Sequence, residues 1–350
     1  MMRRAIQKLA FLLQEQIPAQ RRVYFIYTHK NGFDRFYNGL KANTEISYWG
    51  ITALKEYFPS VRFLRWSEEK PERVAQIRPQ DVVIGHIGPT FAMASERTRK
   101  LIAFNPWAGH EDRSKEAFNC APHGLEMDLF DRCAAVVLLT SEHNKKQYYE
   151  KPSNFWYSYF LKLQETKRIR LVHQPIDLQV FKRIKWDYET HNFLYIGNNA
   201  HMKCVDDAIA LVNAVSRNLV LYGFGENKID NLDQTQVYRL PHQADFFIQP
   251  GMWEAQCVSV LESAARGFIP VVSPETGYPY SHPFLLRYKD FKYNLKILRE
   301  LLNTTPEERR TLADSLYHQL VSDAHHNNWQ VLTDVLVEEV RLQYVQELEV

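Results

Sequence analysis

"GMWEAQCVSVLESAARGFIPVV", residues 251–272, sets two carboxylates, Glu254 and Glu262, eight positions apart. Just upstream, "ADFFIQP" (244–250) is a short apolar run closed by Pro250 and Gly251, the pattern of a buried strand ending in a turn. Val258, Leu261 and Ala265 then recur at helical spacing, with Ser259, Glu262, Ser263 and Arg266 on the other side. Gly267 supplies a stop, and "FIPVVS" (268–273) resumes as a β-branched strand. Strand, loop, helix and strand make a βαβ unit, which commits this part of the chain to a parallel α/β sheet.

In such a unit the loop between strand and helix lies at the carboxyl end of the sheet, where open α/β sheets bind ligands. Glu254 falls in that loop. The helix start near Ala255, Gln256, Cys257 and Val258 offers free N–H groups and the positive end of a dipole, a seat for a diphosphate. Glu262, about two turns on, reaches the same ligand only if the ligand is as long as a nucleotide-sugar. From this stretch alone, two surface acids, one at a helix start and one on a solvated face, account for the pattern equally well.

The remainder of the chain narrows the choice. At 350 residues it is long enough for two cores. A hydrophobic share of 45%, a charged share of 24% and a net charge of +2 mark an ordinary globular protein without the electrostatic footprint of nucleic-acid binding. Cys120, Cys133, Cys204 and Cys257 lie far apart, so neither a disulfide framework nor a cysteine zinc site is expected, and a cytoplasmic setting follows. The opening "MMRRAIQKLAFLLQEQIP" has too short an apolar run for a signal peptide or a membrane span. Its Ile6, Leu9, Ala10 and Leu13 repeat at helical spacing beside Arg3, Arg4 and Lys8, so residues 1–17 suit peripheral contact with an anionic membrane face and suit packing on the protein itself.

Strand patterns at 22–28, 61–66, 81–88, 101–107 and 134–141 alternate with helical stretches, and "IRLVHQPIDLQVF" (169–181) closes this first half. The polar "KRIKWDYETHN" (182–192) reads as a linker. The pattern restarts with "FLYIGN" (193–198), a helix at 204–215, "LVLYGFG" (219–225) and the βαβ unit. The period of the tail, residues 306–346, is helical throughout. The expected organisation is an α/β fold with two Rossmann-like domains facing across a cleft: 1–181, the linker 182–192, 193–326, and a helix over 327–350 that crosses back to the first domain.

Five segments, in order, carry a family resemblance: "VVLLTSEHNKKQ" (136–147), "LVHQPIDLQVF" (171–181), "FLYIGNNAHMK" (193–203), "LVLYGFGE" (219–226), and the Glu254/Glu262 pair followed by "SAARG" and "IPVV". Together they resemble the retaining, nucleotide-sugar-dependent glycosyltransferases of GT-B fold, the group 1 (family 4-like) type. The match covers residues 134–277 well and the first 130 loosely.

The resemblance implies transfer of a sugar from a nucleotide-sugar donor to an acceptor hydroxyl, saccharide or lipid-linked, with retention and without a metal or other cofactor. It gives Glu254 the donor sugar, Glu262 the ribose, and the intervening amides the sugar and phosphates. Ionised carboxylates suit vicinal diols in any case, because charge-assisted hydrogen bonds are the strong ones. In the family an Arg directly after the Gly of the "FLYIGN" segment and a Lys five places later grip the diphosphate. Here Gly197 is followed by Asn198, and only Lys203 stands in its place. Either Lys203 with the helix dipole suffices, or His201 or an Arg from elsewhere in the chain supplies the second positive charge.

His86, at a strand end, resembles a family histidine facing the cleft, with His110 as its rival, and Gly32 resembles a phosphate-side loop glycine. The sequence has no Asp-x-Asp or His-Glu-x-x-His element, and "YGFGEN" is not a dinucleotide fingerprint. The resemblance leaves two other activities open on the same fold, a sugar-nucleotide epimerase and a non-catalytic nucleotide-sugar-binding protein, and Asn198 is the feature that favours the latter.

Overall fold

The computed structural model describes residues 22–27, 54–58, 60–65, 69–104, 129, 131–139, 146, 161, 165, 168–173, 176, 178, 181–197, 203–222, 234–251, 257–323 and 330–345. The expectations placed on residues 1–17, Gly32, His110, Asn198, His201, Glu254, Ala255 and Gln256 lie outside them.

Two wholly parallel sheets organise the described residues. The first has six strands in the order β2-β1-β3-β4-β5-β6: β1 Val23–Tyr27, β2 Arg62–Arg65, β3 Val82–Gly85, β4 Leu101–Phe104, β5 Ala135–Leu139 and β6 Arg168–Val172. The second has four in the order β10-β9-β7-β8: β7 Phe193–Ile196, β8 Leu219–Tyr222, β9 Phe246–Gln249 and β10 Ile269–Val272. β3, β4, β5, β9 and β10 are buried along their whole length, which explains their unbroken apolar sequences: helices cover both faces, so no polar alternation is needed.

Counted from its own first strand, each sheet runs 2-1-3-4, continuing to 5-6 in the first. Strand order therefore reverses between β1 and β3 in one sheet and between β7 and β9 in the other. A crevice opens at the carboxyl ends of such strand pairs, and ligands of open α/β sheets bind there. Gly85 lets β1 and β3 approach closely, since a Cβ at that position would stand 2.5 Å from the Ile26 Cβ and 2.8 Å from its carbonyl oxygen.

The helices among the described residues are α1 Leu54–Tyr57, α2 Pro71–Val74, α3 Pro89–Ser95, α4 Val205–Ala214, α5 Gln234–Gln243, α6 Val258–Ala265, α7 Phe291–Leu302, α8 Pro306–Ser322 and α9 Gln330–Val345. The tail is not one helix. Asp323 ends α8 with an extended backbone, and the two helices serve different cores. Ala313 and Leu316 of α8 pack with Phe246, Ile248 and Val271, while Leu332, Leu336, Val340 and Tyr344 of α9 pack with Val23, Phe25, Ile84 and Phe104 of the first sheet. A single helical period cannot distinguish one long helix from two that bury their stripes against different partners.

Charge also fixes α9 to the first sheet. The Glu339 carboxylate, fully buried, accepts from Arg168 at 3.1 Å and from Arg170 at 3.0 Å, both on the edge strand β6. Glu338 pairs with Arg170 at 2.9 Å, the Tyr344 hydroxyl donates to the Arg22 carbonyl at 3.2 Å, and the Lys100 ammonium lies 5.1 Å from the Tyr344 ring centre.

Residues 182–192 are bonded into the second sheet rather than hanging free. The Lys185 ammonium, with no exposure, donates to the Pro241 carbonyl at 2.5 Å and pairs with Asp245 at 2.7 Å. Asp245 also accepts from the Thr190 hydroxyl and the His191 N–H, and Arg309 stands 3.6 Å from its other oxygen. The backbone N–H groups of Ile184 and Lys185 both donate to the Arg266 carbonyl. The Tyr188 hydroxyl, pushed up to about 12 by burial, donates to the Gly267 carbonyl at 2.7 Å. Gly267 has a φ of +94°, and a Cβ there would meet the Lys185 carbonyl at 2.8 Å, so the strap requires glycine at this point. Several polar groups of this segment thus pair in the protein interior.

Candidate functional site

The candidate site lies at the carboxyl edge of the second sheet, where β7 and β9 diverge. β7 ends at Ile196, and the Gly197 N–H still donates to the Tyr222 carbonyl at 3.1 Å, so the edge is regular up to that residue. A side chain at 197 would press on the Tyr195 ring, whose hydroxyl lies 3.2 Å from the would-be Cβ. Lys203 stands half-buried just before α4, and Cys204 between them adopts a left-handed φ of 49°. α4 starts with no side-chain cap.

β9 leads to the second half of the site. Its last residue, Gln249, is fully buried and accepts a hydrogen bond from the Cys257 thiol at 3.2 Å. Cys257 is the N-cap of α6, again without a side-chain cap bond, and its N–H donates to the Thr276 carbonyl at 2.8 Å. Gly251, where the chain leaves β9, accepts from the Ser273 hydroxyl. The short turn Pro274–Thr276 and the residue that caps it, Ser273, thus hold the residues on either side of segment 252–256. Thr276 stiffens that turn by donating its own hydroxyl to the Ser273 carbonyl at 2.8 Å.

Cys257 and Val258 stand at the helix start expected for them, and Glu262 follows about 7 Å further along the axis at 1.5 Å per residue. Glu262 is half-buried and within electrostatic reach of Arg266, whose guanidinium covers the Phe181 ring at 4.7 Å. Burial pulls the Arg266 pKa down, and the Glu262 charge opposes that shift. Ser263, expected on the polar side of α6, is fully buried, because Val260, Leu261, Ala264 and Ala265 around it are buried as well.

His86 occupies the matching place in the first sheet, directly after β3 at the reversal of strand order. Its ring is buried edge-on against Phe104, with centroids 5.3 Å apart. The two halves meet next to Lys203, for Cys204 packs on the first-sheet cluster that contains Tyr24, Ile26, Val83 and Phe91, and Tyr288 does so from the second half.

Gln249, Ser273 and Thr276 were not singled out from sequence as site residues. "SPET" directly after a β-branched strand, with Ser and Thr flanking a Pro turn, was the available signal for this support. Among the described residues no group of three or more His, Cys, Asp or Glu side chains is placed to hold a metal ion. Among the same residues, no helix is long and apolar enough to cross a membrane. Among the described residues, Cys133, Cys204 and Cys257 form no disulfide. Chemically, the edge offers a cation at Lys203, two uncapped helix starts suited to anionic oxygens, and a carboxylate at Glu262 suited to hydroxyls.

No protein-family model and no curated protein sequence matches the chain. Solved structures do. Sucrose-phosphate synthase from Thermosynechococcus elongatus superimposes with a TM-score of 0.60 at 11% identity, over 93% of this chain and 100% of that one. A structure described as trehalose-6-phosphate from E. coli bound with UDP-2-fluoro glucose gives a TM-score of 0.61 at 9% identity, over 91% and 99%. S. aureus TarM in complex with UDP gives 0.52 at 10% identity, over 75% of this chain and 56% of that one. This chain therefore spans little more than half the length of TarM, and the full lengths of the other two. At these identities the likeness is one of fold: two Rossmann-like sheets in the GT-B arrangement.

Proposed function

We propose that the protein is a glycosyltransferase that takes a UDP-sugar at the carboxyl edge of the second sheet and transfers its sugar to an acceptor hydroxyl held by the first. The observation that carries this reading is the placement of Lys203, Cys257 and Glu262 on the two connections that leave β7 and β9, at the strand-order reversal. Support for the nucleotide comes from the neighbours, of which TarM and the E. coli protein are described with UDP or a UDP-sugar.

In this reading residues 193–326 bind the donor and residues 1–181 the acceptor, a saccharide or lipid-linked saccharide. Residues 1–17 would bring the protein to an anionic membrane face when the acceptor is lipid-linked. The α6 start receives the diphosphate, Glu262 accepts from the ribose hydroxyls, and Glu254 with its neighbours Ala255 and Gln256 contacts the donor sugar. Lys203 meets the charge that develops on the diphosphate as its bond to the sugar breaks. His86 faces the sugar from the first half, with Gly32 near the phosphates. Retention follows if the departing phosphate oxygen takes the proton of the incoming hydroxyl on the same face. The protein's contribution is then orientation and charge stabilisation rather than a nucleophile.

The test is calorimetry or thermal shift with UDP, GDP, ADP and their hexose conjugates. A ligand at a hundred times its Kd stabilises the fold by about 2.7 kcal/mol, well above detection. UDP and at least one UDP-hexose are expected to bind, and release of UDP should depend on added acceptor. No response to any nucleotide would overturn the reading.

A further inference from the structure

The turn after β10 carries one side chain that the support of the site does not use. Of residues 273–276, Ser273 and Thr276 commit their hydroxyls to the Gly251 and Ser273 carbonyls, and Pro274 has no polar side chain. Glu275 remains. One of its carboxylate oxygens, Oε2, is shielded from solvent and has no hydrogen-bond partner among the described residues, although the residue as a whole is only partly buried. A desolvated carboxylate oxygen without a donor is costly, and native structures rarely keep one without a use.

Its position suggests the use. The next residue, Thr276, is bonded directly to the N-cap of α6, so Glu275 is tied to the edge at which we place the donor. Tyr278, three residues on, also buries a hydroxyl without a partner among the described residues, but its ring is enclosed in the core with Val260, Leu261 and Val272. Of these two residues, Glu275 is the one partly exposed to solvent. A carboxylate beside a diphosphate repels it, so the partner of Glu275 must be a hydrogen-bond donor.

We propose that Glu275 is a specificity-determining residue that accepts a hydrogen bond from a saccharide hydroxyl. The proposal rests on the glycosyltransferase reading above. The hydroxyl belongs either to the sugar of the donor or to the acceptor, and two arms of one experiment separate them. Glu275→Gln keeps the shape and removes the charge; Glu275→Ala removes the acceptor altogether, and melting temperatures are taken for both.

UDP and the UDP-hexose that the wild type binds are titrated into each protein by calorimetry, and monosaccharides are titrated into the UDP-loaded proteins. Donor-side contact predicts that UDP affinity stays within about twofold of wild type while UDP-hexose affinity falls about tenfold, the loss of one charge-assisted bond. Acceptor-side contact predicts unchanged UDP-hexose affinity with a similar loss for the monosaccharide. Folded variants in which neither affinity changes relative to UDP overturn the role of Glu275 alone. A wild type that binds no nucleotide overturns both this proposal and the reading beneath it.

Discussion

The two edges of the second sheet are built on opposite terms. At its amino edge the buried charges are paired: Lys185, Asp245 and Arg309 are buried together, and Thr190, His191 and Pro241 bond to them. The helices away from the cleft follow the same rule. α7 is capped by Asp290, and α8 by a Thr305–Glu308 capping box. At the carboxyl edge, α4 and α6 begin without side-chain caps and one Glu275 oxygen has no hydrogen-bond partner among the described residues. Among the described residues, the buried charges pair at one edge, while the other carries uncapped helix starts and a shielded carboxylate oxygen.

The largest expected effect breaks the first half of this contrast. Asp245→Ala leaves Arg309 buried without this carboxylate and Lys185 with only the exposed Asp187, 3.3 Å away, and should cost about 3–5 kcal/mol of stability, measured by urea unfolding. An effect under 1 kcal/mol would mean that water reaches the network.

A pH titration tests the loop that follows β10. Burial holds the His282 pKa at about 4, with the Pro270 carbonyl opposing weakly, and the ring accepts from the Phe284 N–H at 3.4 Å. The folded protein therefore disfavours the proton that the unfolded chain takes up near pH 6.5. The stabilising contribution is complete above pH 6.5 and lost as pH falls toward 4, in total about 3 kcal/mol. Unfolding free energies of wild type and His282→Gln, measured across that window, should converge as the pH drops; parallel curves would contradict the assignment.

At the carboxyl edge the expected losses are of function. Lys203→Ala should lower kcat by about tenfold to a few hundredfold, the equivalent of roughly 1.5–3 kcal/mol, with little change in melting temperature. Glu262→Gln should weaken UDP binding by about 1–2 kcal/mol in calorimetry, since a neutral amide is a poorer partner for a ribose diol. Smallest of all, Thr305→Ala removes a cap far from the cleft and should cost about 1 kcal/mol of stability without altering UDP affinity. Were Thr305→Ala to change affinity, or Lys203→Ala to cost mainly stability, the division between the edges would not hold.

How much of this was readable beforehand differs between fold and site. The strands were readable because parallel strands covered on both faces must be apolar, and segments such as "DVVIG" and "IPVV" are little else. The βαβ reading of 244–273 set Glu262 and the helix start on the connection at the carboxyl edge of the sheet, since chain direction alone decides which end a loop occupies. The strap at 182–192 was not readable as such: Lys185 and Asp245 are 60 positions apart, and nothing local says that a lysine in a polar run will lose all its solvent. The same holds for the support of α6 by Gln249, Ser273 and Thr276, whose bonds join residues brought together only by the sheet. Helix α5, with Pro241 inside it, violates the local rule that a sequence reading depends on, and that proline's carbonyl is the one Lys185 binds.

The docking of α9 bears on the order in which the protein can be made. The Arg22 carbonyl and the Tyr344 hydroxyl meet across 322 positions of chain, and the first core takes Leu332, Leu336 and Val340 as components. During synthesis the first sheet emerges early, yet the face it shares with Leu54 and Phe58 stays incompletely covered until α9 leaves the ribosome, while the second sheet finds its covering helices α4 to α8 close by in sequence. The half made first is thus the half completed last, and a nascent chain halted before residue 330 would expose the apolar face of its own N-terminal strands.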